Sequence, residues 1–165
     1  MGSHDGVIRK FYTAFANHDA NAMAQCYHPE IVFDDPVFGT LKGREASNMW
    51  KMLLEKSQGK LKITFSDMKS DETSGSAKWI ATYLFTKTGR QVVNHINAEF
   101  TFKDGLIARH SDHFDLWLWS RQAFGFKGWL LGWTGFMQGK IQQQAQASLK
   151  AYNQKQSAFK QKHYL

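Results

Sequence analysis

Helix-period patterns followed by a run of strand patterns predict an α+β fold, a curved antiparallel sheet covered on one face by helices. Three observations carry that prediction. Val7, Ile8, Phe11, Tyr12 and Phe15 recur at helical spacing near the start, and Ala46, Met49, Trp50, Leu53 and Leu54 repeat the pattern later. From Leu61 to Leu116 the grammar is that of strands, punctuated by turn signals at Ser74-Gly75, Thr88-Gly89 and Asp104-Gly105. Turns of this kind join neighbouring antiparallel strands, so the second half of the body reads as a meander.

The elements follow in order. The first helix has Asp5 near its start and ends near Asn17. Asp19 caps a second, shorter helix through Met23 to Tyr27. The His28-Pro29 step stops it, because the residue before proline is pushed out of the helical region. Ile31 to Phe33 reads as a strand, and a turn at Gly39 leads to the third helix, closed by Gly59 at its C-cap. The meander strands are expected over Leu61 to Met68, Ala77 to Thr86, Val92 to Phe102 and Leu106 to Leu116.

Residues 5–116 are expected to form one body and residues 117–165 an aromatic, basic helical extension of it. In the extension, Trp117, Trp119, Trp129 and Trp133 sit among glycines, and Ile141, Ala145, Leu149 and Tyr152 give a last helix a thin apolar stripe. Its end, Lys155 to Lys162, is expected to be loose. The tail has three readings: a lid, a dimer interface, or a membrane-surface contact through tryptophans beside lysines. Because the glycines break any long amphipathic helix, packing against the body or a partner is favoured, and membrane contact ranks last.

At 165 residues the chain is sized for one domain around one core. Its one cysteine, Cys26, leaves no internal disulfide and reads as a small buried hydrophobe. There is no signal-like start and no apolar run long enough to span a bilayer, so the expected location is the cytoplasm. Met1-Gly2-Ser3-His4 carries no structural pattern. The net charge of +7 arises from Arg121 onward, a stretch without Asp or Glu, while the body before it is near neutral. No helix-turn-helix, zinc-ligand spacing or aromatic ribonucleoprotein motif accompanies that charge, so no nucleic-acid partner is expected.

Two polar clusters stand out. Ile31-Val32-Phe33-Asp34-Asp35-Pro36 ends an apolar strand in carboxylates, and Arg109-His110-Ser111-Asp112-His113-Phe114-Asp115 ends the last strand. Side chains two apart share a strand face, so His110, Asp112 and Phe114 point one way and Arg109, Ser111, His113 and Asp115 the other. An Asp35 carboxyl against an apolar wall would be a base with its pKa raised toward neutrality; the competing reading is a turn residue accepting a backbone hydrogen bond. His110 would be the acid or proton shuttle, with Asp112 fixing its tautomer or acting as a second base. The same spacing also suits an ordinary hydrogen-bonded pair. No metal site is expected, because His110, Asp112 and His113 cannot converge from one strand without a bulge and no cysteine supports them. Phe11, Phe15, Trp50, Trp79, Tyr83, Phe85, Phe100 and Phe102 are core-builders first, and some would line any pocket.

Asp34-Asp35-Pro36-Val37-Phe38-Gly39, Gly43-Arg44-Glu45-Ala46, Thr88-Gly89-Arg90 and Asp104-Gly105-Leu106-Ile107, in this order of elements, resemble the nuclear transport factor 2-like superfamily. Within it, the ketosteroid isomerase and SnoaL-like polyketide cyclase branch is the most similar. The resemblance covers Val7 to Leu116 and implies a cystatin-like α+β cone around an apolar pocket, commonly a homodimer. It also implies that Asp35 occupies the place of the general base of ketosteroid isomerase. The two oxyanion donors of that enzyme fall on Phe11, with Tyr12 one place off, and on Ala98, so its steroid reaction does not carry over. Alignment to the family turns His110 and Asp112 toward the pocket, in roles similar to the histidine and aspartate of scytalone dehydratase.

The function implied is cofactor-free acid/base catalysis by Asp35, His110 and Asp112 on a small apolar carbonyl compound, by isomerisation, cyclisation or dehydration. Phe11, Tyr12, Phe15, Trp50, Asn94, Ala98, Phe100 and Phe114 are the expected substrate-binding residues. The alternatives are a non-catalytic carrier of a hydrophobic ligand and a protein-interaction module.

Overall fold

The computed structural model describes residues 4–163. Helices α1 (Asp5–Ala16) and α2 (Ala20–Gln25) lead into strand β1 (Tyr27–Asp35), the short strand β2 (Gly39–Lys42) and helix α3 (Arg44–Ser57). Strands β3 (Lys62–Ser70), β4 (Ser74–Phe85), β5 (Arg90–Lys103) and β6 (Leu106–His113) follow. Helices α4 (Leu116–Phe124), α5 (Phe126–Leu131) and α6 (Gly135–His163) complete the chain. The six strands form one curved, unclosed sheet in the order β2-β1-β6-β5-β4-β3. The expected α+β architecture is present.

Local chemistry explains most boundaries. The Asp19 side chain accepts from the Ala22 N–H at 2.9 Å, capping α2. Asp104 and Gly105 both have positive φ, the geometry of a two-residue hairpin between β5 and β6. Helix α1 buries Ile8, Phe11, Tyr12 and Phe15 against the sheet, where the alternating inward residues of β5, Val92, Ile96, Ala98 and Phe100, are buried too.

Several details differ from the sequence expectation. Helix α2 stops at Gln25, and Tyr27 begins a strand that runs through His28 and Pro29. Proline is tolerated there because the β1–β6 register shifts between Tyr27 and Val32, leaving its missing N–H outside the regular ladder. The sheet is not wholly antiparallel, since β1 and β6 run parallel. Strand β2 has no counterpart in the sequence reading; four residues with one buried side chain, Leu41, carry too little pattern. Ser74-Gly75 lies inside β4, not in the turn, which falls on residues 71–73. Gly75 instead answers a close approach, because a Cβ there would stand 2.9 Å from Ile8 Cδ1 of α1. Lys155 to Lys162, expected to be loose, continues α6.

A main core gathers α1, α3 and the inner sheet face, and a smaller cluster forms around Val92, Leu116, Trp119, Ala123 and Ile141. Val37, Tyr83 and Phe114 touch both clusters. Among the described residues no helix is long and apolar enough to cross a membrane.

Candidate functional site

Strand pairing brings the two polar clusters together. Phe33 lies opposite His110 and Asp34 opposite Ser111 in the parallel β1–β6 pair, so Asp35 and Asp112, one step further, share the inner sheet face on adjacent strands. The outward residues behave as their parity requires. Asp34 pairs with Arg109 at 2.7 Å, His113 faces Glu99 at 3.6 Å, and Asp115 caps α4 by accepting from the Leu118 N–H.

His110 and Asp112 sit in a buried hydrogen-bond chain. Trp50 Nε1 donates to the Tyr27 hydroxyl at 2.8 Å, and that hydroxyl lies 2.7 Å from His110 Nδ1. His110 Nε2 is 3.0 Å from Asp112 Oδ1, which also accepts from Trp79 Nε1 at 3.1 Å. An indole N–H can only donate, so one direction of donation satisfies every member: Trp50 to Tyr27, Tyr27 to Nδ1, and Nε2–H to Asp112. Around this chain pack the rings of Phe11, Phe33, Trp50 and Phe100, all touching His110. One polar atom here is left over. The Tyr12 hydroxyl is buried without a hydrogen-bond partner, and burial first, then the charge of Asp112, holds its pKa well above the usual tyrosine range.

Asp35 is different because it is only partly buried. Its Oδ1 accepts from the backbone N–H groups of Val37 and Phe38, so it does shape the turn. Its pKa is nevertheless pushed up to about 7, first by desolvation and further by the charges of Asp112 and Asp34, against the pull of the two backbone donors. Tyr83 is near enough for the Asp35 charge to help raise its own pKa, after burial, while its hydroxyl accepts from Trp119 Nε1 at 2.7 Å. Helix α6 reaches the turn from outside: Gln142 Nε2 donates to the Pro36 carbonyl at 3.1 Å and Gln146 Nε2 to that of Phe38 at 3.0 Å.

The expected lining residues therefore divide. Phe11, Tyr12, Phe15, Trp50, Ala98 and Phe100 are all no more than 3% exposed and fill the interior behind Asp35. Phe114 and Asn94 are half-buried on the inner face, at the same end as Val37 and Tyr83. Tyr27, Trp119, Gln142 and Gln146 have no place among the site residues expected from the sequence, and Tyr83 is expected there only as a core aromatic that could line a pocket. Tyr27 was hidden by its assignment to a helix, and nothing local marks a glutamine more than 100 residues from the turn it holds. Among the described residues, no three His, Cys, Asp or Glu side chains converge as a metal-binding group.

Comparison with known proteins agrees with the fold. Residues 8–110, from α1 to β6, match the SnoaL-like domain family. No curated protein matches the chain in sequence. Among solved structures, a candidate polyketide cyclase from Xanthomonas campestris pv. campestris is 21% identical, with a TM-score of 0.59 over 73% of this chain and 96% of that one. TsrD from Streptomyces laurentii is also 21% identical, with a TM-score of 0.58 over 73% and 94%. An LEH-like epoxide hydrolase from M. tuberculosis is 20% identical, with a TM-score of 0.57 over 79% and 91%. Because this family match runs over residues 8–110, well over half of the sequence, the chain belongs to the SnoaL-like domain family of the nuclear transport factor 2-like superfamily.

Proposed function

We propose that this chain is a cofactor-free acid/base enzyme of the ketosteroid isomerase-like and SnoaL-like type, isomerising, cyclising or dehydrating a small apolar carbonyl compound. The observation that carries the reading is the pair of carboxyls, the partly buried Asp35 and, beside it on the inner face, the buried Asp112, the latter bonded to His110. A carboxyl poised near neutrality can take a proton from carbon beside a carbonyl and return it elsewhere on the same substrate. Asp35 is the group that meets substrate, with Val37 and Tyr83 beside it. His110 and Asp112 act from behind as positioning residues, through the charge that Asp112 presents to Asp35. Tyr12 adds an uncommitted hydroxyl donor for a developing oxyanion once the interior admits the substrate. In this reading residues 117–165 belong to the same functional unit, and the protein is cytoplasmic and homodimeric.

One observation favours a second reading. His110 is fully buried, with aromatic rings packed around it, which suits a protein that does no chemistry, such as an interaction module or a ligand carrier. Proton exchange separates them without knowledge of the substrate. In deuterated water, a panel of apolar ketones should lose NMR signal at the α-carbon with the native chain and keep it with Asp35→Asn, whose thermal unfolding remains cooperative. Ligands that raise Tm with no exchange, or exchange undiminished in Asp35→Asn, would overturn the enzymatic assignment.

A further inference from the structure

The α4–α5–α6 corner lies outside the family match and displays apolar side chains that the fold does not use. Phe126, Trp129, Leu130, Leu131, Trp133 and Phe136 are each between 46% and 73% exposed. Their exposure follows from how α5 packs. A Cβ on Gly128 would fall 1.9 Å from the Ser120 carbonyl oxygen, and one on Gly132 would fall 2.7 Å from Ser120 Cβ. Helix α5 thus seats its glycines directly on the backbone of α4, and its large side chains are left in solvent. The glycines that break an amphipathic pattern in the sequence are the inward face of the packed helix.

Cations are interleaved with these side chains. Arg121 stands 4.9 Å from the Trp117 ring and Lys140 4.8 Å from the Phe136 ring, and Lys127 is exposed beside Phe126. Beside the corner, Arg90 and Arg121 flank a groove of about 350 Å³ that Phe126 and Trp129 also line. From residue 116 to the end there is no Asp or Glu. A two-fold contact of this corner with a second copy would set these cations against themselves, with no carboxylate in the segment to separate them.

We propose that the α4–α5–α6 corner docks on anionic lipid bilayers. Trp129, Trp133, Phe126 and Phe136 enter the interfacial layer, and Arg121, Lys127 and Lys140 lie at the level of the phosphates. The Arg90–Arg121 groove gives one headgroup phosphate two guanidinium partners. The contact is peripheral and reversible, and it does not depend on whether Asp35 is catalytic.

The test is co-sedimentation of the full chain with vesicles of phosphatidylcholine alone or in equal mixture with phosphatidylglycerol. The native chain should bind the mixed vesicles at least about tenfold more tightly than the neutral ones, and added salt should weaken it. The Trp129→Ser/Trp133→Ser variant should lose binding to both. Arg121→Gln/Lys127→Gln/Lys140→Gln should lose the preference for the anionic lipid, with far-ultraviolet circular dichroism and Tm unchanged. No binding of the native chain to mixed vesicles, or binding by both variants that matches the native chain's, would overturn the proposal. So would a native dimer that Trp129→Ser/Trp133→Ser converts to monomer, because the corner would then be a contact between copies.

Discussion

Asp35→Asn should stabilise the protein at alkaline pH and leave it unchanged at acid pH. The carboxyl's ordinary pKa of 3.8 is pushed up to about 7 in the folded chain, so the native state binds this proton more tightly than the unfolded one. Stability contributed by the neutral acid is therefore complete below about pH 4 and lost as pH rises through about 7. At about 1.36 kcal/mol for each pH unit, the displacement sets a ceiling of about 4 kcal/mol. Partial exposure of Asp35 brings solvent screening, which reduces this to about 2 kcal/mol. Asparagine keeps an acceptor oxygen for the Val37 and Phe38 N–H groups but cannot ionise. Thermal unfolding of both proteins should give matching Tm values near about pH 4 and a variant Tm higher by about 4–8 °C near about pH 8. An offset of the same size at both pH values, or a variant less stable at the higher one, would refute desolvation of Asp35 as the cause.

Three further outcomes test other parts of the structure. Tyr27→Phe strands the Trp50 N–H and His110 Nδ1 and should cost about 2–3 kcal/mol in urea unfolding, whereas Tyr12→Phe removes a hydroxyl without a partner and should be neutral or slightly stabilising. Similar losses from both would mean that Tyr12 is bonded. Gly128→Ala must lift α5 from α4 and should cost about 3 kcal/mol, with proteolysis opening near Gly125; an unchanged Tm and cleavage pattern would contradict the backbone contact. Gln142→Ala/Gln146→Ala removes both tethers on the Pro36–Phe38 turn and should lower stability by about 2 kcal/mol, with faster amide exchange at Val37 and Phe38. Unaltered exchange there would show that the turn holds itself.

The period of the hydrophobic residues was enough to find α1, α3 and the four long strands, because one buried face imposes spacing on every long element. It could not find β2 or the strand start at Tyr27, where the pattern is short and a proline misleads. Asp35 was legible as a candidate because a carboxylate at the end of an apolar strand is anomalous by itself, and strand parity put His110 and Asp112 on one face. That Asp35 stands beside Asp112 came only from the parallel register of β1 and β6, a contact between segments more than 70 residues apart. The filling of the interior was likewise invisible, since Phe11, Tyr12, Phe15 and Trp50 have the same pattern whether they line a cavity or close it.

By itself, the sequence determined the α+β class, the family, the inward face of each long strand and the location of all the excess charge in the tail. These depend on local periodicity and on residue identity. The tertiary structure alone decided which carboxyl stays partly exposed, which hydroxyl is left without a partner, and which way the aromatic corner faces. Each of these depends on what packs against what. Gly128 and Gly132 read along the chain as helix breakers, yet in space they are the surface on which α5 rests, and that contact turns the tryptophans outward.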